Sequence, residues 1–325
     1  MLRVLITGVA GFVGRHLTEL CRAQGASVIG IGRRKLSRHA QPPGLDAYIA
    51  VDLSEKQQAD ATIRSAAPDR IFHLAAETSV TSSWADPSSV LHNNFCSTHH
   101  LLEAVLHERP DARVLVASSA SVYGSVASLK LPITEEHPLC PRDPYAMSKV
   151  AVDLLADFYA QAHGLAVVRT RTFNHVGPGQ SDAYVISGFA RQIAAAEATS
   201  SEHRGGTARI VVGNPDMRRD LTDVRDVARA YWTALERPRA GVFNVCSGSS
   251  TSLGEVLGKL GRLTGLSVEH RTDAALVREG DVMELRGSPE AFMRATAWQP
   301  ELPLETTLAD TLTWWRMRLA SRSSE

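Results

Sequence analysis

A tyrosine and a lysine, Tyr145 and Lys149, stand four residues apart just after Pro144. Residues at this spacing share one face of a helix, and proline suits the first helical turn. A phenol is a weak acid at neutral pH, but a neighbouring ammonium stabilises the phenolate and lowers its pKa. Tyr145 could then exchange a proton with the oxygen of a carbonyl or carbinol. The alternative interpretation is an ordinary pair on a helix surface.

A serine-rich segment, residues 118–124, follows the apolar run at residues 114–117. Such a run is typical of a buried strand, and open α/β sheets bind their ligands at the carboxyl ends of their strands. Ser119 is therefore placed to donate a hydrogen bond to the oxygen atom that Tyr145 would protonate. The predicted catalytic residues are Ser119, Tyr145 and Lys149.

Three glycines, Gly8, Gly11 and Gly14, join the first apolar run to an amphipathic segment. Glycines at these positions permit a tight turn, let the backbone approach a pyrophosphate and let a helix pack closely on a strand. The N-terminus of the helix that follows would attract the phosphates. The alternative is a plain strand-to-helix turn, but the spacing and context favour a dinucleotide site. Its predicted contacts are Gly8, Gly11, Phe12, Val13 and Gly14.

The residues after the second predicted strand indicate which dinucleotide binds. An acidic residue there accepts a hydrogen bond from the ribose 2′-hydroxyl of NAD, whereas arginine suits the 2′-phosphate of NADP. Here Arg33 and Arg34 follow Gly32, and guanidinium groups bind phosphate well. We predict NADP(H), with NAD(H) less favoured; the alternative is a solvated basic loop without selectivity. Asp52, after the third predicted strand, is expected either to bind the adenine amino group or to cap the next helix.

The first half of the chain has the pattern of a scaffold that brings such strand ends together. Short apolar runs alternate with amphipathic segments, which is typical of parallel βαβ units. The predicted strands are residues 3–6, 27–31, 48–51, 70–74, 114–117 and 166–170. The predicted helices are residues 12–23, 55–66, 90–108 and 145–163. The expected fold class is α/β, a Rossmann-type doubly wound parallel sheet with a smaller α/β substrate-binding lobe.

The pattern loosens after residue 173, which divides the chain into two predicted parts. Residues 1–173 are expected to bind NADP(H), and residues 174–325 mainly to form the nucleotide-sugar-binding lobe. Segments near residues 223–248 should return to the first part, because residues 242–245 have the pattern of a buried parallel strand. In the lobe we expect strands at 210–212 and 267–270, helices near Val224, Leu253 and Leu304, and an exposed loop at 199–208.

Composition and charge limit the partners. Lys and Arg number 35 and Asp and Glu also number 35, so no net field attracts nucleic acid or an anionic membrane. We find no targeting segment and no apolar run of the length of a membrane span, and we expect a soluble, cytoplasmic protein. The four cysteines are scattered, as in reducing compartments, and no ligand cluster predicts a metal site.

Several of these segments together resemble the extended short-chain dehydrogenase/reductases. They are the glycine loop, the strand end at residues 73–76, the serine-rich segment at 119–124, and Tyr145 with Lys149. Residues 171–180, 212–214, 219–224 and 244–248 are most similar to the branch that reduces GDP-4-keto-6-deoxy-D-mannose to GDP-D-rhamnose. The resemblance runs nearly end to end. It implies a homodimer in which two long helices, near residues 90–108 and 145–163, pair across a two-fold axis.

The resemblance also implies roles for further residues. The implied substrate contacts are Ser121, Asn174, Gln180, Arg219 and Arg278. The implied cofactor contacts also include Leu53, Leu74, Ala75, Ala76, Tyr145 and Lys149. Arg219 and Arg278 would contact the diphosphate or the base; the alternative for Arg219 is a salt-bridged entrance to a helix. Asn94 would support Lys149 through water, unless solvent alone satisfies its amide.

The residues after Ser119 separate the reactions of the resembled family. Its dehydratases carry an acidic residue there, because removing water requires a proton donor and acceptor beside the ketone. This chain has Ala120 and Ser121, which disfavours dehydration. Reduction of a ketone needs only a hydride and a proton from Tyr145, so we predict NADPH-dependent reduction of a nucleotide-linked 4-keto-6-deoxy sugar. The alternatives are a 4-epimerase with tightly bound NAD and an NADP-binding sensor without catalysis.

Overall fold

The computed structural model describes residues 1–199, 206–237, 240–273, 276 and 282–322. Its strands, in chain order, are β1 (Arg3–Thr7), β2 (Ser27–Gly32), β3 (Ala47–Ala50), β4 (Arg70–His73), β5 (Arg113–Ala117), β6 (Ala166–Thr172), β7 (Asn174–Val176), β8 (Thr207–Val212), β9 (Arg218–Asp223), β10 (Gly241–Val245), β11 (Ser250–Ser252), β12 (Ser267–Thr272) and β13 (Glu284–Leu285). Its α-helices are α1 (Phe12–Ala23), α2 (Lys56–Ala66), α3 (Val80–Ala85), α4 (Pro87–Glu108), α5 (Pro144–His163), α6 (Val185–Thr199), α7 (Val224–Ala234), α8 (Leu253–Thr264), α9 (Glu290–Thr296) and α10 (Leu304–Arg322).

Seven parallel strands form the central sheet, in the order β10-β6-β5-β4-β1-β2-β3. The chain extends the sheet in one direction from β1 to β3 and then in the other direction from β4 to β10. Strand order therefore reverses between β1 and β4, and sheets of this kind bind ligands at the carboxyl ends of the strands at such a point. The predicted Rossmann-type fold is confirmed.

Alternating side chains of the sheet enter two separate cores. In β1, Val4 and Ile6 pack on the face that α1 and α7 cover, whereas Leu5 packs on the face that α2, α4 and α5 cover. Removing each such side chain from water contributes about 1.5–3 kcal/mol to the stability of the folded protein. A shift of one residue in the register would expose these side chains, so their burial fixes the register. The strand ends that hold the site are consequently positioned by a core on each side.

The helix that carries Tyr145 begins and ends at residues suited to those places. Asp143 caps α5 by accepting a hydrogen bond from the amide of Ala146 at 2.8 Å, and Pro144 occupies the first turn. Gly164 ends the helix with φ of 68°, in the left-handed region that glycine favours. This cap sets the start of α5, and with it the position of the side chains that follow.

The lobe is built around β9, which pairs with β7, β11 and β13. Helices α6, α8 and α10 share a core with β8. We did not predict α6, although Ile186, Phe189, Ala190 and Ile193 have the spacing of a buried helical face. The predicted loop at 199–208 is partly wrong, because Thr207 already begins β8; residues 200–205 lie outside the described part. Within the described residues, the helices are too short or too polar to span a membrane.

Candidate active site

The three predicted catalytic residues lie together at the carboxyl end of β5. Lys149 is 5% exposed, and its ammonium donates a hydrogen bond to the carbonyl oxygen of Ala117 at 2.7 Å. The hydroxyl group of Ser119, two residues further along, is hydrogen-bonded to the Tyr145 hydroxyl group. Helix α5 and the end of β5 thus bring a phenol, an alcohol and an ammonium to one place.

Burial has the largest effect on the pKa values of Tyr145 and Lys149. It raises the pKa of Tyr145 well above its usual value, and the hydrogen bond from Ser119 only partly opposes the rise. Burial also lowers the pKa of Lys149 to about 8, against the opposing effect of the Asp153 carboxylate. Desolvation of the phenolate is thus the larger effect on Tyr145, and the expected lowering of its pKa by Lys149 together with a nicotinamide charge stays a prediction. A protonated phenol is the form that donates a proton.

Ser121 contacts Ser119, the serine predicted to be catalytic. The Ser119 oxygen accepts hydrogen bonds from the Ser121 amide at 3.1 Å and from the Ser121 hydroxyl at 2.9 Å. A hydroxyl oxygen has two lone pairs, so these bonds direct the proton of Ser119 towards Tyr145. The predicted contact of Ser121 with the substrate stays a prediction.

The glycine loop has the shape that a pyrophosphate requires. Gly8 has φ of 68°, and a Cβ atom there would lie 2.9 Å from the amide nitrogen of Ala75. A Cβ atom on Gly14 would lie 2.6 Å from the carbonyl oxygen of Val9. Gly11 caps α1 without a side-chain hydrogen bond, and Phe12 and Val13 form the first turn. A side chain at Gly8 or Gly14 would therefore clash with backbone and force the loop to move.

A buried histidine connects this loop to the neighbouring strand and helix. The Thr7 hydroxyl accepts hydrogen bonds from the amides of Leu74 at 3.1 Å and Ala75 at 3.0 Å, so its proton goes to His73 Nδ1 at 2.9 Å. The His73 Nε2–H group then donates to the Thr98 hydroxyl at 3.0 Å. Sequence reasoning missed Thr7, His73 and Thr98, because only the fold brings these residues together.

This histidine should make stability depend on pH. Burial lowers the pKa of His73 to about 3, whereas an unfolded histidine titrates near 6.5. Below about pH 6.5 the unfolded chain therefore binds a proton that the folded chain does not, and stability falls with falling pH. Through His73 we expect a loss of about 2 kcal/mol in the free energy of unfolding between about pH 6.5 and pH 5.

Urea unfolding at the two pH values measures that loss. His73→Gln should be less stable at both values and should lose that part of the pH dependence. The same change at the exposed His39 should leave the dependence intact. An equal pH dependence in wild type and His73→Gln would contradict the neutral, buried histidine.

Arg33 and Arg34 lie exposed at the end of β2. Arg33 Nη2 is 3.2 Å from the Glu77 Oε1 atom, and the Tyr48 hydroxyl donates to the Arg34 carbonyl oxygen at 2.7 Å. Tyr48 lies across Gly32, where a Cβ atom would be 2.5 Å from the phenol oxygen. The turn that presents the two guanidinium groups is thereby fixed.

The other predicted cofactor contacts lie at the ends of β3 and β4. The Asp52 carboxylate accepts hydrogen bonds from the Ser54 amide at 3.0 Å and hydroxyl at 2.7 Å. The expectation that Asp52 caps the next helix is wrong, because Glu55 occupies the cap position of α2. Leu53 is buried, and Leu74, Ala75 and Ala76 are partly buried.

The predicted substrate residues divide into exposed and internally bonded ones. Asn174 is exposed at the start of β7. Gln180 is buried, and its amide donates to the carbonyl oxygen of His175 at 2.9 Å, which shapes the loop. Arg219 donates to the carbonyl oxygen of Val282 at 2.8 Å. Arg278 lies outside the described residues.

Two further contacts lie near the phenol, one between the lobe and the sheet domain and one within the sheet domain. The hydroxyl groups of Tyr184 and Thr78 are 3.1 Å apart across the cleft. Asn94 is buried and donates to the Ser148 hydroxyl at 2.9 Å, which ties α4 to α5. Solvent therefore does not satisfy Asn94, and its predicted support of Lys149 through water stays a prediction.

Comparison with known proteins decides the family. The sequence profile of the GDP-mannose 4,6-dehydratase family matches residues 5–311. The chain belongs to this family. The predicted resemblance to the extended short-chain dehydrogenase/reductases is confirmed, as is the prediction of an enzyme of that type.

Members of the family with different names are similar to this chain. The GDP-6-deoxy-D-mannose reductase of Pseudomonas aeruginosa is 34% identical over 318 residues, which cover 98% of each chain. The UDP-glucose 4-epimerase of Halalkalibacterium halodurans is 27% identical and covers 96% of this chain and 95% of its own. A structure of RMD from Pseudomonas aeruginosa complexed with NADPH is 32% identical, has a TM-score of 0.84, and covers 98% of this chain and 100% of its own.

Proposed function

We propose that this protein reduces the 4-keto group of GDP-4-keto-6-deoxy-D-mannose to give GDP-D-rhamnose, with NADPH as the reductant. The observation that carries the proposal is the group of Ser119, Tyr145 and the buried Lys149, in which desolvation of the phenolate keeps the phenol protonated. The relative named as a GDP-6-deoxy-D-mannose reductase and the NADPH complex support the choice of sugar and cofactor.

The chain's own groups account for the proton half of the reaction. Tyr145 donates its proton to the carbonyl oxygen at carbon 4, and Ser119 donates a hydrogen bond to the same oxygen. The Lys149 ammonium stabilises the phenolate that remains. When bound, the nicotinamide supplies the hydride. Gly8, Gly11 and Gly14 would hold the pyrophosphate, because the loop backbone packs too closely at Gly8 and Gly14 to accept a Cβ atom.

Dehydration and epimerisation are less well supported. Ser121 hydrogen-bonds Ser119 at the position where a dehydratase needs an acid, and a hydroxyl does not abstract a proton beside a ketone. An epimerase retains its NAD through the reaction and gains nothing from a site suited to NADP exchange, which Arg33 and Arg34 indicate here. A purified protein that carries stoichiometric NAD would favour the epimerase.

Product analysis tests the proposal. The protein is incubated with NADPH and a GDP-4-keto-6-deoxy sugar, generated in place from GDP-mannose by a dehydratase. We expect one NADP⁺ for each GDP-6-deoxyhexose, with the carbon-4 configuration of D-rhamnose by NMR. A product with the other configuration would overturn the sugar assignment, and an absence of reduced sugar would overturn the reductase.

We also propose that the protein is a cytoplasmic homodimer. Its four cysteines are free, as in a reducing compartment. Exposed apolar side chains on α4 and α5 support a helical interface, among them Phe95, Leu154 and Phe158, of which the last two are each 55% exposed. Symmetric dimers are the commonest oligomers.

A charged substitution on that face should dissociate the dimer. Phe158→Glu would bury two carboxylates at the interface, so we expect a monomer by light scattering at micromolar concentrations. Met317→Glu, which changes an equally exposed apolar residue on α10, should remain a dimer. A wild-type monomer, or a Phe158→Glu dimer, would contradict the interface.

A further inference from the structure

Glu77 holds a fixed carboxylate beside the end of β2. Its Oε1 atom accepts a hydrogen bond from the Asn93 amide at 2.7 Å and lies 3.2 Å from Arg33 Nη2. The Glu77 backbone is also fixed, because its amide donates to the Asn94 side-chain oxygen at 2.8 Å and its carbonyl oxygen accepts from the Asn94 amide at 3.2 Å. The carboxylate therefore has a defined position, although Glu77 lies in a loop.

Arg33 and Arg34 differ in the charges around them. The positive charge of Arg33 interacts with the carboxylates of both Glu77 and Asp52. Arg34 has an exposed guanidinium group and forms no ion pair with the residues that the structure describes. The phosphate-binding charge at this strand end is consequently concentrated on Arg34.

A carboxylate at the end of β2 has opposite effects on the two dinucleotides. It accepts a hydrogen bond from the ribose 2′-hydroxyl of NAD(H), and it repels a 2′-phosphate a few ångströms away. Glu77 reaches this place from the loop after β4, a strand that β1 separates from β2, so a search of the residues after β2 does not find it. The chain thus presents a cationic group and an acidic group to the same ribose.

We propose that Glu77 sets the choice between NADPH and NADH: it neutralises Arg33, leaves Arg34 as the main contact of the 2′-phosphate, and accepts a hydrogen bond from the ribose of NADH. The inference rests on the proposed use of NADPH. It predicts a moderate preference for NADPH, which removal of the Glu77 charge strengthens.

Calorimetric titration of NADP⁺ and NAD⁺ tests this role without any sugar substrate. Glu77→Gln keeps the side-chain shape and should bind NADP⁺ about tenfold more tightly, because one repulsive charge is lost, while NAD⁺ binds several-fold more weakly. The matched control is Glu108→Gln, which removes the carboxylate of the exposed Arg64 ion pair and should change neither affinity. An unchanged or lower affinity of Glu77→Gln for NADP⁺ would overturn the proposal. Thermal unfolding without ligand verifies that each variant is folded.

The two arginines provide an independent test. Arg34→Ala should weaken NADP⁺ binding about a hundredfold, and Arg33→Ala less than about fivefold, since Glu77 and Asp52 already neutralise Arg33. An equal loss in the two variants would overturn the proposal. If the wild type binds NAD⁺ and not NADP⁺, the use of NADPH fails; a gain of NADP⁺ binding in Glu77→Gln would still support the role of Glu77.

Discussion

Tyr145→Phe is expected to lower kcat by about a thousandfold or more, while the Kd for NADPH changes by less than about threefold. The variant removes the proton that Tyr145 is proposed to deliver to the carbonyl oxygen. It retains the ring, which fills the same space. Ser119 can still donate a hydrogen bond to the carbonyl oxygen, so a low residual rate should remain.

Tyr159→Phe is the matched control for this variant. Tyr159 lies on the same helix, 14 residues after Tyr145, and its hydroxyl group is bonded to His99 and Glu103 on α4. Its loss should leave kcat within about twofold. Single-turnover kinetics with bound NADPH separates the chemical step from product release. A Tyr145→Phe enzyme that retains a tenth or more of the wild-type rate would assign the proton to another group.

The second large effect is expected at Gly8. Gly8→Ala combines an unfavourable positive φ with a Cβ atom 2.9 Å from the Ala75 amide nitrogen, so the loop must move away from β4. We expect the Kd for NADPH to rise at least about a hundredfold, because the backbone then no longer fits the pyrophosphate. Stability should also fall by roughly 1–3 kcal/mol.

Gly25→Ala is the control that separates the effect of a positive φ from the effect of the steric clash in Gly8→Ala. Gly25 also has a positive φ, of 75°, but a Cβ atom there would meet nothing within 4 Å. Gly25→Ala should therefore cost about 1 kcal/mol of stability and leave the affinity for NADPH unchanged. Calorimetric titration and urea unfolding of the two variants measure both quantities. Wild-type affinity in Gly8→Ala would show that the loop does not need its close contact with Ala75.

The part of the site that depends on local spacing was predictable from the sequence. Tyr145 and Lys149 share a helix face because they are four residues apart, and the glycine loop connects a strand directly to a helix. Ser119 follows a strand whose carboxyl end must reach the same edge. These relations need only the period of a helix and the topology of a parallel sheet.

Relations between distant segments were not predictable in the same way. Burial raises the pKa of Tyr145, and this burial depends on side chains from distant segments, because Tyr184 and Tyr231 lie near enough to interact with the phenol. Gln180 is buried and donates a hydrogen bond within its own loop, which its position in the sequence does not reveal; its implied contact with the substrate stays a prediction. Glu77 reaches Arg33 from a different strand end, which spacing along the chain cannot reveal.

Relatives of this chain are named as reductases, epimerases and dehydratases. The residues beside Ser119 help to distinguish dehydration from reduction. With Ser121 beside Ser119, the chain has no carboxyl group at this position for removing water, which fits the proposed reductase. A reductase of this kind needs a separate enzyme to supply its ketone. The dehydratases of the same family carry out that class of reaction, as their names indicate.

The most direct test of the account is the rate of NADPH oxidation when GDP-4-keto-6-deoxymannose is added. The account predicts rapid oxidation that requires this sugar, slower oxidation with NADH or a dTDP ketosugar, and almost none with Tyr145→Phe. Two results together would contradict the reductase and identify an epimerase. The first is that neither NADPH nor NADH is oxidised with either sugar, and the second is that UDP- or GDP-hexoses are interconverted without added cofactor.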